Sequence, residues 1–525
     1  MTPRSPGPDD VARAIALLET LANDPDLLVT IPEVTRKALV VAAGRVSSPS
    51  QKEARAIRKA ARKHRRQLAE TRDRERRAAT EIRTARRADV FVPPPRLVGG
   101  GEPAPAEGGN GEAREPARLL EKPRNCYICK APYREVHFFY DSMCSACAAL
   151  NYEKRFQTAP LHGKVAVITG ARIKIGYQAA LMMLRAGAHV IVTTRFPRDA
   201  AQRYAREADF AKWQDRLEVH GLDLRHTPSV EIFSRWLVQT KPRLDLLVNN
   251  AAQTVRRPTA FYKHMLDLET AAASELPRGV RGILQSHEAC KASIGDFVSR
   301  DPSDSNGVPA GFVAWTGGEG PGIGVRESAR LSQLPCAFDD TTHDALVFPA
   351  GRTDADLQQI DLRPMNSWRL KLADVPSAEL LEVQLVNAVA PFVLCAKLRP
   401  LMAKTPGRDK HIVNVSAVEG QFARGTKTDK HPHTNMAKAA LNMMTLTSAP
   451  DFVKDGIHMN AVDTGWVTDE DPAAISQRKR EDLDFEPPLD IVDGAARVCD
   501  PFFAGLLTGE HAWGKFFKDY AVAKW

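Results

Sequence analysis

Four of the eight cysteines fall in two pairs, Cys126-Tyr-Ile-Cys129 and Cys144-Ser-Ala-Cys147, separated by fourteen residues. Two such knuckles can gather four thiolates around one tetrahedral ion, and an all-sulfur shell suits zinc, which takes sulfur readily and has no redox chemistry. A closed shell leaves no open position for a substrate, so a structural ion is expected. The competing reading, a pair of redox dithiols, lacks a thioredoxin-like context. His137 lies between the knuckles, where four thiolates already complete the shell. Cys290, Cys336, Cys395 and Cys499 are scattered, unlike the framework of a disulfide-stapled secreted chain.

A second set of residues is suited to phosphate. Lys164-Val-Ala-Val-Ile-Thr-Gly170 reads as a short buried strand, Ala171-Arg172-Ile173-Lys174-Ile175-Gly176 as a turn, Tyr177 to Ala186 as a helix, and Ala188 to Arg195 as the next strand. Strand, glycine turn, helix and strand make the βαβ unit that sets a dinucleotide pyrophosphate on a helix N-terminus. The glycine-rich stretch Trp315 to Gly324 lacks the Gly-Lys-Ser/Thr ending of a phosphate loop and reads as a flexible connection.

The elements that must position these groups divide the 525-residue chain into several units. Residues 1–48 read as a small helical region, in which Val11, Ile15, Leu18 and Leu21 keep helical spacing. Residues 50–90 contain neither Pro nor Gly between Gln51 and Val90 and predict a long basic helix with a thin apolar stripe. Residues 91–122, rich in Pro, Gly, Ala and Glu, predict a disordered linker. A four-cysteine zinc-binding module over 123–158 and a large α/β unit over 161–525 follow, with an insertion at about 253–375. The fold class expected is α/β: a Rossmann doubly wound parallel sheet with an inserted subdomain, preceded by a small zinc-binding module and N-terminal helices.

The net charge of +9 is local. Fifteen Lys or Arg against five acids lie between Lys52 and Arg87, and the rest of the chain is nearly neutral. A solvated spacer is the plain reading of this run, and a protein or nucleic-acid partner bound by the 51–88 helix is the functional one. No membrane span is expected, since Arg, Lys or Gly interrupts each apolar run. The absence of an apolar signal core and the acidic Asp9 and Asp10 predict a cytoplasmic protein.

Further motifs follow the glycine turn in order: Gly221-Leu-Asp-Leu224, Leu244-Asp-Leu-Leu-Val-Asn-Asn-Ala-Ala252, His411-Ile-Val-Asn-Val-Ser416 and Lys438-Ala-Ala-Leu441. The series resembles the short-chain dehydrogenase/reductase family over residues 161–252 and about 380–520. The resemblance implies that Gly170, Arg172, Ile175 and Gly176 form the cofactor turn, with Lys174 in place of its middle glycine. It implies that Asp223 lies beside the adenine, that Asn250 and Ala251 support the cofactor, and that Thr468 touches the nicotinamide carboxamide. Lys438 would hold the ribose. Arg195 follows the second strand where the family meets the adenosine ribose, and a cation there favours NADP over NAD.

The reaction centre departs from the family. Ser416, Lys438 and the helical Asn387 stand in the expected order, but Thr434 occupies the position of the tyrosine four residues before the lysine. A phenol can be tuned toward neutrality, whereas an aliphatic hydroxyl is a far weaker acid. His431, His433 and Tyr262 are the alternative proton donors. Two functions are therefore weighed. One is an NAD(P)-dependent oxidoreductase acting on an unidentified small molecule with a modified proton donor. The other is a catalytically degenerate dinucleotide-binding scaffold working through its zinc module and basic helix. The resemblance also implies a homo-oligomer.

Overall fold

The computed structural model describes residues 6–94, 118–299, 322–335, 346–423, 425 and 427–525. Most of the expected linker, Cys336 and the first part of the glycine-rich stretch lie outside the described residues. The chain divides into two compact units, residues 1–74 and 75–525.

In the first unit, helices Pro8–Asn23, Pro25–Thr30 and Glu33–Ser47 precede the start of the helix Gln51–Ala78. Among the described residues of those three helices, Leu21 is the one buried hydrophobic. The basic segment is not one continuous helix. It ends at Ala78, and a separate short helix Glu81–Arg86 begins after Thr80. Neither Gly nor Pro breaks it; instead the N–H groups of Glu81 and Ile82 donate to the carbonyls of Phe138 and Phe139. Tertiary pairing there displaces helix continuation.

This end of the segment belongs to the second unit, and its cations are internal. Arg83 bonds Asp141 at 2.6 Å and Asp484 at 3.2 Å, Arg77 meets Asp484, and Arg86 donates to the carbonyls of Pro487 and Leu489. The expectation of one solvated basic face over 51–88 is therefore corrected: these arginines are partnered within the fold, while Arg55, Arg58, Lys59 and Arg62 remain exposed.

The four-cysteine region contains an antiparallel pair, β1 (Leu119–Asn125) and β2 (Pro132–Glu135), followed by the helix Ser145–Arg155. The main sheet follows, formed by β3 (Val165–Thr169), β4 (His189–Thr194), β5 (Leu217–Gly221), β6 (Leu246–Asn249), β7 (Lys410–Ser416), β8 (Ile457–Asp463), β9 (Phe516–Lys518) and β10 (Ala521–Ala523). Its order is β10-β9-β8-β7-β6-β3-β4-β5, parallel from β9 through β5, with β10 antiparallel to β9. The order reverses between β3 and β6, the switch point where an open α/β sheet leaves a crevice at its strand ends.

Both faces of the sheet are covered, as a parallel sheet requires. Along β3 the side chains alternate. Ala166 and Ile168 join the core beneath the helices Lys174–Arg185 and Ile491–Thr508, while Val165 and Val167 join the opposite core with Leu237, Leu394 and Ile412. The helical run Ser377–Ala403 is long and apolar enough by composition to cross a bilayer, contrary to the expectation that no segment is. Half of its apolar window is buried, and Leu394 and Leu398 pack on the sheet, so its apolarity serves the core.

The insertion covers the β5 edge. Its helix Arg278–Ser299 sends Val280, Ile283 and Leu284 into one core and Cys290 and Ile294 into the other. His287 accepts the Gly221 N–H, and Gly324 accepts the N–H of Asp223.

Replacing Arg83 by Met leaves Asp141 buried without its cation, and urea denaturation is expected to show a loss of about 3 kcal/mol or more. The same change at exposed Arg62 should stay within about 0.5 kcal/mol.

Candidate active site

A cleft of about 1520 Å³ opens at the strand ends around the switch point. Its floor is a close backbone approach. Gly170, at φ +67°, lies so near Ala251 that a Cβ there would come within 2.8 Å of the Ala251 Cα. A Cβ on Gly176 would reach 2.4 Å from both the Asn250 amide nitrogen and the Gly170 carbonyl. Asn250 locks the arrangement, its side-chain amide donating to the carbonyls of Thr169 and Gly170 at 3.0 and 3.1 Å. The Thr169 hydroxyl accepts the N–H groups of Asn250 and Ala251. The turn opens onto the N-terminus of the helix Lys174–Arg185, whose first amides are available to an anion. This cradle of bare backbone, which any side chain would fill, fits a pyrophosphate.

Lys174 takes the left-handed conformation at φ +56° that a glycine would adopt at lower cost. Its side chain is half-buried on the cleft wall. Burial works to raise the Glu470 carboxyl, but the Lys174 charge and a hydrogen bond from Thr468 hold it below its ordinary value. Thr468 thus spends its hydroxyl on Glu470, at 2.6 Å. Ile175 lines the cleft but also packs against Gly494 and the four-cysteine region. Arg172 is buried and committed to Asp199 at 2.7 Å.

At the β4 end, Arg195 donates to the Tyr262 hydroxyl at 2.7 Å and stacks over that ring at 4.7 Å. No carboxylate pairs with Arg195 among the described residues. Tyr262 thereby belongs to the Arg195 end of the cleft. Asp223 lines the cleft, yet its carboxylate is gripped on both oxygens by Arg225, which also reaches Glu382 at 2.8 Å. Arg225 opposes the effect of burial and holds Asp223 below the usual carboxylate range.

The other end gathers Ser416, Lys438 and His431 on the cleft wall. Ser416, at the end of β7, donates to Asn442 at 2.5 Å. Lys438, one turn before Asn442 on the helix Pro432–Phe452, donates to the Val415 carbonyl at 2.8 Å. Burial lowers its ammonium to about 8, against the pull of Glu419 and Asp463. Thr434 is buried but does not reach the cleft, and its hydroxyl has no hydrogen-bond partner among the described residues. His433 also turns inward, to Glu379 at 3.2 Å. His431 instead faces the cleft from the helix N-cap at φ +41°, stacked on Trp368 with ring centroids 3.9 Å apart. Burial pushes its pKa down, so the ring is neutral near pH 7. Asn387 sits in a π-helical turn, Leu385–Val389, with both ends of its amide bonded to the Gln253 backbone.

The sulfurs of Cys126, Cys129, Cys144 and Cys147 lie within 4.8 Å of one another. Four sulfurs at the usual zinc distance of about 2.3 Å stand roughly 3.8 Å apart, so this donor set fits such an ion with small adjustments.

Several cleft residues carried no sequence signal. Arg225, after β5, and Glu382, in the helix Ser377–Gln384, lie 157 residues apart and meet only in the folded chain. Tyr127, Ile128 and Lys130, inside or beside the first cysteine knuckle, also line the cleft. Asn442 was detectable in principle, lying four residues after Lys438 on one helical face.

Residues 164–271 match the family model described as short chain dehydrogenase, and residues 355–487 match the one described as enoyl-(acyl carrier protein) reductase. An uncharacterized protein of Acanthamoeba polyphaga mimivirus is 30% identical over 394 residues, covering 72% of this chain and 71% of its own. Retinol dehydrogenase 14 of Mus musculus is 38% identical over 100 residues, or 17% of this chain and 30% of its own length. A short-chain dehydrogenase/reductase from Serratia marcescens is similar in structure, with TM-score 0.40 and 15% identity over 68% of this chain and 97% of that one.

Gly176→Ala is expected to lower stability by about 1–3 kcal/mol through collision with Asn250. Gly282→Ala, in an open helical position, should be neutral or stabilising by up to about 1 kcal/mol. Thermal melts of the two variants check this.

Proposed function

Because this chain belongs to the short-chain dehydrogenase/reductase family, we propose that it is an NADP(H)-dependent oxidoreductase in which Lys438 exchanges the proton that a tyrosine handles elsewhere in the family. The observation carrying the reading is that the glycine cradle and the Ser416–Lys438 pair face one cleft. The Gly170–Gly176 turn would hold the pyrophosphate, and Arg195 the 2′-phosphate of the adenosine ribose. When bound, the dinucleotide donates or accepts a hydride.

The remaining chemistry falls to the chain. Lys438 has Val415 as its one hydrogen-bond acceptor among the described residues, so further N–H bonds are available to a substrate oxygen. In reduction its ammonium gives a proton to the carbonyl oxygen as the carbon receives the hydride; in oxidation the neutral amine takes the proton from the alcohol. His431, neutral and fixed against Trp368, suits a hydrogen bond to the substrate. Thr434 takes no part. The scaffold alternative gives no role to an ammonium whose pKa is held near working pH at the cleft wall.

Reduction requires charged Lys438 and should fall as pH rises through about 8; oxidation requires the neutral amine and should rise through the same value. Lys438→Met should remove that limb and lower turnover by about 100-fold or more. If the limb instead vanishes in His431→Gln, the proton belongs to the imidazole. Wild-type protein should bind NADPH more tightly than NADH, and Arg195→Asp should reverse the order; tighter NADH binding by the wild type overturns the NADP assignment.

The four-cysteine cluster is read as a structural zinc site, for which elemental analysis should return about one zinc per chain. Leu381, Phe392, Met436 and Met443 are exposed on the helical runs Ser377–Ala403 and Pro432–Phe452, which supports a homo-oligomer, measurable by light scattering.

A further inference from the structure

The first cysteine knuckle does more than hold sulfur. Tyr127, between Cys126 and Cys129, crosses to the loop that follows β8, and its hydroxyl accepts the Trp466 N–H at 2.9 Å. That loop carries Thr468, so the contact falls on the chain segment framing the Lys438 end of the cleft.

The approach is built from both sides. On the knuckle, the Tyr127 N–H donates to the Ser142 carbonyl at 2.8 Å, and the Cys126 N–H to the Ala131 carbonyl, so the tyrosine leaves a backbone hydrogen-bonded on both sides. On the loop, Gly465 takes φ +74°, and a Cβ there would meet Leu489 at 2.4 Å and the Tyr127 hydroxyl at 3.3 Å. Asp463 pins the same turn, accepting the N–H groups of Gly465 and Val418, both at 2.7 Å. Val467 then enters the core formed by Tyr133, Phe139, Tyr140, Leu489 and Val492. The Trp466 side chain is exposed, its ring tilted against Phe485 with centroids 4.6 Å apart, so the Tyr127 hydroxyl holds the loop through the backbone beside a surface ring contact.

We propose that Tyr127 is a positioning residue for the nicotinamide end of the dinucleotide: the knuckle phenol sets the loop Thr464–Thr468, making the cysteine module a structural part of the cofactor site. The proposal rests on the dinucleotide reading above. It requires the ordering to act on one half of the cofactor only, because the adenosine end is built from Arg195, Asp223 and Asn250, none of which touches the knuckle.

Tyr127→Phe keeps the ring and removes the hydrogen bond. In full-length, metal-loaded protein, calorimetry with NADPH and with 2′,5′-ADP, which carries the adenosine half alone, separates the ends. The expected result is about three- to tenfold weaker NADPH binding, from loss of one hydrogen bond, with 2′,5′-ADP binding and zinc content unchanged. Equal weakening toward both ligands would indicate general damage and overturn the positioning role, as would no change toward either. Trp466→Pro, which removes the donor instead of the acceptor, should reproduce the selective loss; if it weakens 2′,5′-ADP equally, the proposal fails. Failure of the wild type to bind either nucleotide would instead remove the dinucleotide reading itself.

Discussion

The end of β3 and the end of β6 must come together without side chains between them. Gly170 and Gly176 are the positions where a Cβ would strike Ala251, Asn250 or the turn itself, and Asn250 turns that proximity into hydrogen bonds with Thr169 and Gly170. Every other part of the cleft is placed relative to this contact: Arg195 one strand to one side, Ser416 one strand to the other. Lys174 is the exception that tests the constraint. It takes a left-handed backbone at its place in the turn, and its charge holds the Glu470 carboxyl down, so the turn forms around a cation.

The cysteine module is fastened to the large unit by buried polar pairs as well as by its core. The Tyr140 hydroxyl meets Asp493 at 2.5 Å, Arg155 bridges Asp490 and Asp493, and Arg497 reaches Asn151 at 2.6 Å. Asp490 also caps the helix Ile491–Thr508, accepting the N–H groups of Val492 and Asp493. Burying so many charges is costly unless each is paired, and the dense pairing fixes how the module sits.

How much of this was legible in the sequence depended on whether the signal was local. The glycine turn, the apolar strands and the cysteine spacing each depend on near neighbours, and they could be read directly. Thr434 was readable as a missing phenol, but its inward orientation, and the outward one of His431, follow from helix rotation and the Trp368 stack. Asp223 lines the cleft, and its clasp by Arg225 two residues on is local, whereas the second arm of Arg225, to Glu382, spans 157 residues and left no trace in the sequence. The end of the basic helix at Ala78 had no Gly or Pro to announce it, because the competing hydrogen bonds come from Phe138 and Phe139. The reach of Tyr127 into the cleft was hidden for the same reason.

The insertion that wraps β5 changes what the sheet can do next. An uncovered parallel edge offers a ladder of unpaired amides to any incoming strand, and a sheet with two such edges can grow without limit. Here Arg278–Ser299 straddles one rim, and the far rim ends in the three-residue β10. One rim is thus closed by a helix and the other offers only three residues of ladder, so the sheet presents little backbone to an incoming strand.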